Sequence, residues 1–502
     1  MKSALGITVR LLAGACAALG LGSTAGAVTL NPRGLGQVLI YPYYTANAGF
    51  GTLVSIVNTT PRGKALKVRF HEGYNGRVVG AFNLYLSPFD TWVGQVFDTG
   101  TGGDSSAALA TNDHSCVAPA FLVPVDPGSG LPRLNFDASA YTGSNKDPGP
   151  QTAARTREGY FDVIEMGEVT NASHGSLTAI THVDSVPANC AQIAAAWTAP
   201  GGYWTQDGSI DLAPPTGGLY GAASIINIAA GLMYTINATA IDGFSATAQH
   251  SAPDALTPDL NTATPNALGA VAAHVPSGAK LVELDFEHAE DAISGLLMAD
   301  SLDNEYVVDA GIGAQSDWIV TFPTKRFYTD NGLLGDLSAR KPFDVVFSVA
   351  NGGTSCAPIN AFPWNREEQA PLTNDAYFSG PTNGAPAYAL CYNVNALTVN
   401  NAASAFGSNL RTGSIDLTLL GFKSGHLRLD LRNDSTGVSD TNHQLVSTAG
   451  QTLFGMPGIG FLALDYVNGN VTPGVLANYS AVYPDRAHTT CLKAADSQAP
   501  CD

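Results

Sequence analysis

The sequence predicts a mainly β protein: antiparallel β-sandwich domains of Ig-like or jelly-roll type, with long loops and few short helices. Three observations predict it. Apolar and polar residues alternate with period two in several short segments, each of which would bury one face and wet the other. The 54 glycines and 29 prolines are enough to punctuate many short strands with turns. Hydrophobic residues make up 45% of the chain, which supports packed cores rather than disorder.

The elements follow in order. Segment 37–44 is apolar and aromatic, and 52–58 (TLVSIVN) is rich in β-branched residues. In 66–71, Leu66, Val68 and Phe70 alternate with Lys67, Arg69 and His71, which are expected to face solvent. A turn at 73–76 leads to a similar pattern at Phe82, Leu84 and Leu86. Loop-like stretches at 99–112 and 143–158 precede a strand at 160–169. Alanine-rich 188–199 is the best helix candidate, ended by Pro200-Gly201. Paired strands are expected at 220–228 and 233–241, and 250–267 reads as a solvated loop or linker. A strand at 316–322 and another at 343–350 flank a soft boundary near 330. An irregular stretch follows at 364–386. Ile415, Leu417 and Leu419, then Leu427, Leu429 and Leu431, predict a hairpin, and strands at 461–466 and 475–482 close the pattern. The domain reading is therefore 28–330, a β-sandwich with loop insertions, and 331–502, a second β-rich domain.

Residues 1–27 read as a signal peptide. Lys2 and Arg10 supply a basic start, 11–21 is a short apolar run, and Ala25-Gly26-Ala27 fits a cleavage site. Cys16 would leave with the signal. Six cysteines then remain: Cys116, Cys190, Cys356, Cys391, Cys491 and Cys501. An even set in an exported chain predicts disulfides; six cysteines allow about 15 pairings, of which the sequential one is expected here because sequence neighbours share a folding unit. None stands in a CxxC or CxxCH pattern, which argues against zinc ribbons, thioredoxin-like sites and attached haem.

The formal charge is −18, and loss of Lys2 and Arg10 makes the mature chain two charges more negative. Such a balance argues against nucleic acid and anionic membranes as partners. After residue 27 no stretch is long and apolar enough for a membrane-spanning helix. A transmembrane β-barrel is disfavoured by the long irregular segments, the expected disulfides and the Cys501-Asp502 ending.

Several segments, among them VLIYPYYTANAGFGTLVSIVNTT, KALKVRFHEGYNGRVVGAFNLYLSPFDTW, SDWIVTFPTKRFYTD and GMPGIGFLALDYVNG with ANYSAVYPDRAH, resemble exported proteins of Gram-negative bacteria. Those proteins are described as hypothetical or cell-surface proteins. The resemblance covers most of the mature chain. It implies an envelope or extracellular location, and it brings no known activity and no catalytic residues.

Asp285, Glu287, Glu290 and Asp291 form the densest acidic stretch and offer hard oxygen ligands for calcium, although the spacing matches no EF-hand. Tyr41, Tyr43, Tyr44 and Tyr74 could stack on sugars or anchor a protein, and core packing explains them equally well. No G-x-S-x-G elbow occurs, and Ser224 lies in an apolar strand-like run. Glu165 with Glu168, or Glu283 with Asp285, could serve a glycosidase, and His71-Glu72 lacks the second histidine of a zinc motif. The leading expectation is a non-catalytic surface or extracellular-matrix protein. It would act by binding a protein or carbohydrate surface, or itself. A secreted hydrolase of polysaccharide or ester substrates and a periplasmic or secreted ligand-binding protein are the alternatives.

Overall fold

Central strand Val38–Thr45 is buried along its whole length, and the molecule is layered around it. The computed structural model describes residues 26–100, 102–121, 130–335, 338–370, 388–400, 404–432, 443–494 and 499–502. Almost all of the expected signal peptide, residues 1–27, lies outside the described residues. The chain is mainly β, with several sheets. Nearly all strand pairs are antiparallel. Val28–Leu30 beside Val271–Ser277, and Val394–Val399 beside Arg411–Ile415, run parallel. Helices are few and short, and among the described residues none is long and apolar enough to cross a membrane.

Val38–Thr45, Gly63–Glu72, Val78–Leu86 and Glu158–Val169 lie in a ten-stranded sheet. Pro42 is tolerated in the middle of it because the ladder to Glu158–Val169 shifts register beside it, between Gly159 and Phe161. A six-stranded sheet contains Gly51–Asn58, Thr91–Asp98 and the hairpin Leu219–Asn227/Leu232–Asn237. Leu39 and Tyr41 from the first sheet share one apolar core with Val54, Ile56 and Ile225 from the second.

Two five-stranded sheets complete the layers. One holds Ala314–Thr321, Val394–Val399, Arg411–Ile415, Ile459–Thr472 and Val475–Pro484. Its alternation serves two cores: Ile319, Ala396 and Phe461 join the first, while Trp318, Val320, Leu397 and Leu462 face a second. Leu302, Tyr306, Ile359, Leu427 and Leu429 close that second core from the other five-stranded sheet. That last sheet runs Tyr388–Leu390, Ala357–Asn365, Ser424–Asp430, Ser301–Val307 and Arg486–His488. Strands 301–307 and 314–321, which precede residue 330, therefore pair with strands from 357–488.

Four local expectations are corrected. Lys67, Arg69 and His71 do not face water: segment 250–267 covers Lys67 and Arg69, and the Tyr160 ring stacks on His71. Lys67 Nζ donates to the Ala252 carbonyl at 2.7 Å, and Arg69 donates to that of Leu256 at 2.9 Å. By the same token that segment is a cover and not a free linker. Residues 343–350 form no strand; Phe343 packs on Phe322 and Tyr328, and Phe347 N–H bonds to Thr329. The hairpin expected at 415–431 does not form either. Ile415 ends a strand parallel to Val394–Val399, 418–420 is a short helical turn, and Ser424–Asp430 lies between two sequence-distant strands.

Candidate functional site

The cysteines pair as Cys116–Cys190, Cys356–Cys391 and Cys491–Cys501, the sequential order. The first ties strand Cys116–Ala118 to helix Cys190–Ala196, the second closes the paired strands Ala357–Asn365 and Tyr388–Leu390, and the third holds strand Cys491–Leu492 to Cys501. The tyrosines are corrected from a binding face to packing. Tyr41, Tyr43 and Tyr44 are fully buried, and their hydroxyls donate to the Ser55 carbonyl, the Glu158 carboxylate and the Thr156 carbonyl. Tyr74 is half-buried, edge-on to Tyr392, with its hydroxyl bonded to the Asn409 carbonyl. No sugar could reach the first three rings.

The acidic stretch is spread over separate partners. Asp285 accepts from the Asn266 side chain, Glu287 is exposed, and Arg340 ion-pairs with both Glu290 and Asp291. Burial pushes the Asp291 carboxyl above its ordinary value against the pull of Tyr328 and Arg340. Among the described residues no group of three or more His, Cys, Asp or Glu side chains is placed to hold a metal.

Nor do the hydrolase candidates assemble. Glu165 is buried in an ion pair with Lys64 at 2.7 Å, and Glu168 is held by Arg62. Ser224 hydrogen-bonds to Thr235. Glu283 is exposed beside His274. Ser87, His182 and Asp90 do meet, a constellation the sequence does not announce. Here, however, both the hydroxyl (2.8 Å) and the carboxylate (3.6 Å) approach the same imidazole nitrogen, Nδ1. A relay needs them on opposite nitrogens.

A different constellation stands on the outer face of the sheet containing Ser301–Val307. Residues directly opposite each other in an antiparallel ladder project to the same face. Register therefore places Trp364, His426 and Glu305 in one row. Phe362, Arg428, Asp303 and Arg486 form the next, and Asn360, Asp430, Ser301 and His488 the third. The intervening residues, Leu427, Leu429 and Leu302, point into the core, which fixes the direction of all three rows.

Geometry holds this face rigid. The Trp364 and His426 rings stack with centroids 4.5 Å and planes 6° apart. Arg428 reaches Asp303 through Nε at 3.0 Å and Nη2 at 3.1 Å, and those hydrogen bonds hold its guanidinium above the ordinary value. Its guanidinium carbon also lies 6.0 Å from the Trp364 ring centre. Asp300 accepts from His488 Nδ1 at 2.9 Å and from Thr490 at 2.5 Å. The His488 imidazole is 68% exposed and, with Nδ1 committed, has Nε2 left for contact. Ser301 donates to Asp300 at 3.1 Å and not to His488, so this is no nucleophile triad either.

Trp364 lines two grooves. The first, about 540 Å³, also takes in Phe362, Arg428, Asp430, Arg432 and His488. The second, about 750 Å³, takes in Glu305, Asn365, Arg366, Glu368 and His426. A sequence signal existed in the alternation Phe362-x-Trp364, but Pro358 and Pro363 mask it as irregular. The chain matches no protein-family model, no curated protein and no solved structure.

Proposed function

We propose that this chain is a non-catalytic exported protein of the cell surface or extracellular matrix, a stack of β-sandwich layers that acts by binding. Its partner surface lies on the outer face carrying Trp364, Phe362 and Arg428. One observation carries the reading: two aromatic side chains stand on the solvent side of a sheet whose core is already filled. Phe362 is 40% exposed, and covering that remaining part of the ring with a partner is favourable by roughly 1 kcal/mol. Three disulfides fit an oxidising compartment, and the resemblance to exported proteins of Gram-negative bacteria supports the same address.

Expression of the full chain in a Gram-negative host tests this. The product should begin at Val28, carry no free thiol and sediment with envelope or matrix material. A Trp364→Ala/Phe362→Ala variant should be exported equally and lose the sedimentation. Uncut cytosolic protein with free thiols, or sedimentation indifferent to the variant, would overturn the proposal.

A further inference from the structure

We infer that the ligand of this face is a neutral polysaccharide, held as a run of sugar rings crossing Trp364 from one groove to the other. The inference rests on the reading that this face is the binding surface, and it names the chemistry that surface takes.

Shape is the first argument. Both grooves are open, and Trp364 forms a wall common to them. A small ligand is held tightly where most of its surface is enclosed, which neither groove provides. An elongated ligand instead gains affinity unit by unit along a groove. Stacking against His426 fixes the indole in advance, so little ordering is needed on binding.

Chemistry narrows the class. An aromatic face carries negative quadrupole potential and suits the C–H-rich face of a pyranose ring. Around it, Asp303 with Arg428, Asp300 with His488 and Asp430 with Arg432 supply fixed planar donors and acceptors side by side. Sugar hydroxyls, which both donate and accept, match such a mixture. Because the ionic groups face each other, the rows offer no surplus positive charge to a polyanion, and the chain as a whole, at −18, repels one. A protein partner fits less well: the centre of a protein interface takes aromatic residues and Arg but is depleted of Asp, and here Asp300, Asp303 and Asp430 stand among the aromatics.

The test is titration calorimetry with the disulfide-bonded mature protein. The probes are β-glucan, xylan, mannan and starch, their oligosaccharides of increasing length, and polygalacturonate and heparin as polyanions. At least one neutral series should bind, with affinity rising about tenfold or more from disaccharide to hexasaccharide and with little salt dependence. Trp364→Ala should weaken it about tenfold or more, whereas Tyr220→Ala, on an exposed face of the six-stranded sheet, should not. Thermal unfolding checks that each variant is folded. Binding confined to polyanions and abolished by salt, or independent of chain length, would overturn the inference. If sedimentation depends on Trp364 yet no saccharide binds, the glycan inference fails while the binding face stands. If neither depends on Trp364, both fall.

Discussion

Tyr41 of the ten-stranded sheet donates its phenolic hydrogen bond to the Ser55 carbonyl of the six-stranded sheet at 2.7 Å, tying the two layers together. Gly221 makes room for that contact. A Cβ there would lie 1.9 Å from the Tyr41 hydroxyl oxygen and 2.3 Å from the Ser55 oxygen. Tyr41→Phe removes one buried hydrogen bond and is expected to cost about 1 kcal/mol. Gly221→Ala forces backbone apart and should cost more, roughly 3 kcal/mol. Urea unfolding checks the order: both midpoints fall, that of Gly221→Ala further, with the slope unchanged.

The disulfides should differ in weight. Cys116–Cys190 closes a separation of 74 residues and Cys491–Cys501 one of 10. Loop-closure entropy then assigns about 4 kcal/mol to the first and about 3 kcal/mol to the last. Paired Cys→Ala variants, compared by denaturant midpoint, should reproduce that ranking. Equal losses would mean that the unfolded chain is not what the bridges restrain.

How much of this was legible beforehand depends on the range of the interaction. Val38–Thr45 and Gly51–Asn58 are readable because their pattern is local, and the even number of cysteines signals disulfides while leaving their pairing to the fold. The fate of Lys67, Arg69 and His71 is not readable. Alternation marks them as the other face of a strand, but only the groups packed over it decide whether that face is wet: the segment near Ala252 and Leu256 on Lys67 and Arg69, and Tyr160 on His71. The Trp364 rows were hidden for a similar reason. Ser301–Val307 and Ala357–Asn365 meet through Ser424–Asp430, and no local period reports such pairing. Leu427, Leu429 and Leu431 suggested a hairpin because a strand's own alternation does not name its neighbour.

On that covered face, Asp162 should define the acid limb of stability. It accepts from Arg69 Nε at 2.8 Å and Nη2 at 2.6 Å, and its Oδ2 lies 3.0 Å from His71 Nε2. Burial opposes its ionisation, but Arg69 and His71 outweigh burial and hold the carboxyl at about 2, below the ordinary 3.8. A depressed carboxylate contributes stability above its unfolded value and loses it as pH falls toward the folded one. The wild type should therefore weaken from about pH 4 down to about pH 2. Asp162→Asn, which strands a buried guanidinium, should cost roughly 3–5 kcal/mol near neutrality. It should also flatten that part of the profile. Thermal melting across the range reads both effects.

Asp317 and Asp465 should act in the opposite direction. They lie on neighbouring strands, facing Tyr234 of the six-stranded sheet, and Asp317 Oδ1, Asp465 Oδ1 and the Tyr234 hydroxyl are buried without a hydrogen-bond partner. Burial raises Asp317 to about 7, despite bonds from Ser404 and Ala405, and the charge of Asp465 adds to it. Burial likewise raises Asp465 to about 6, against the pull of its own backbone N–H. A raised carboxyl favours folding below its unfolded value near 3.8 and loses that contribution as pH climbs through the folded one. Stability should then peak near about pH 4 and decline by roughly 2–4 kcal/mol on reaching about pH 8. The decline should be shallower in Asp317→Asn and Asp465→Asn. Urea titrations at closely spaced pH decide it, because a profile flat from about pH 5 to about pH 8 would mean that neither carboxyl is raised in the folded protein.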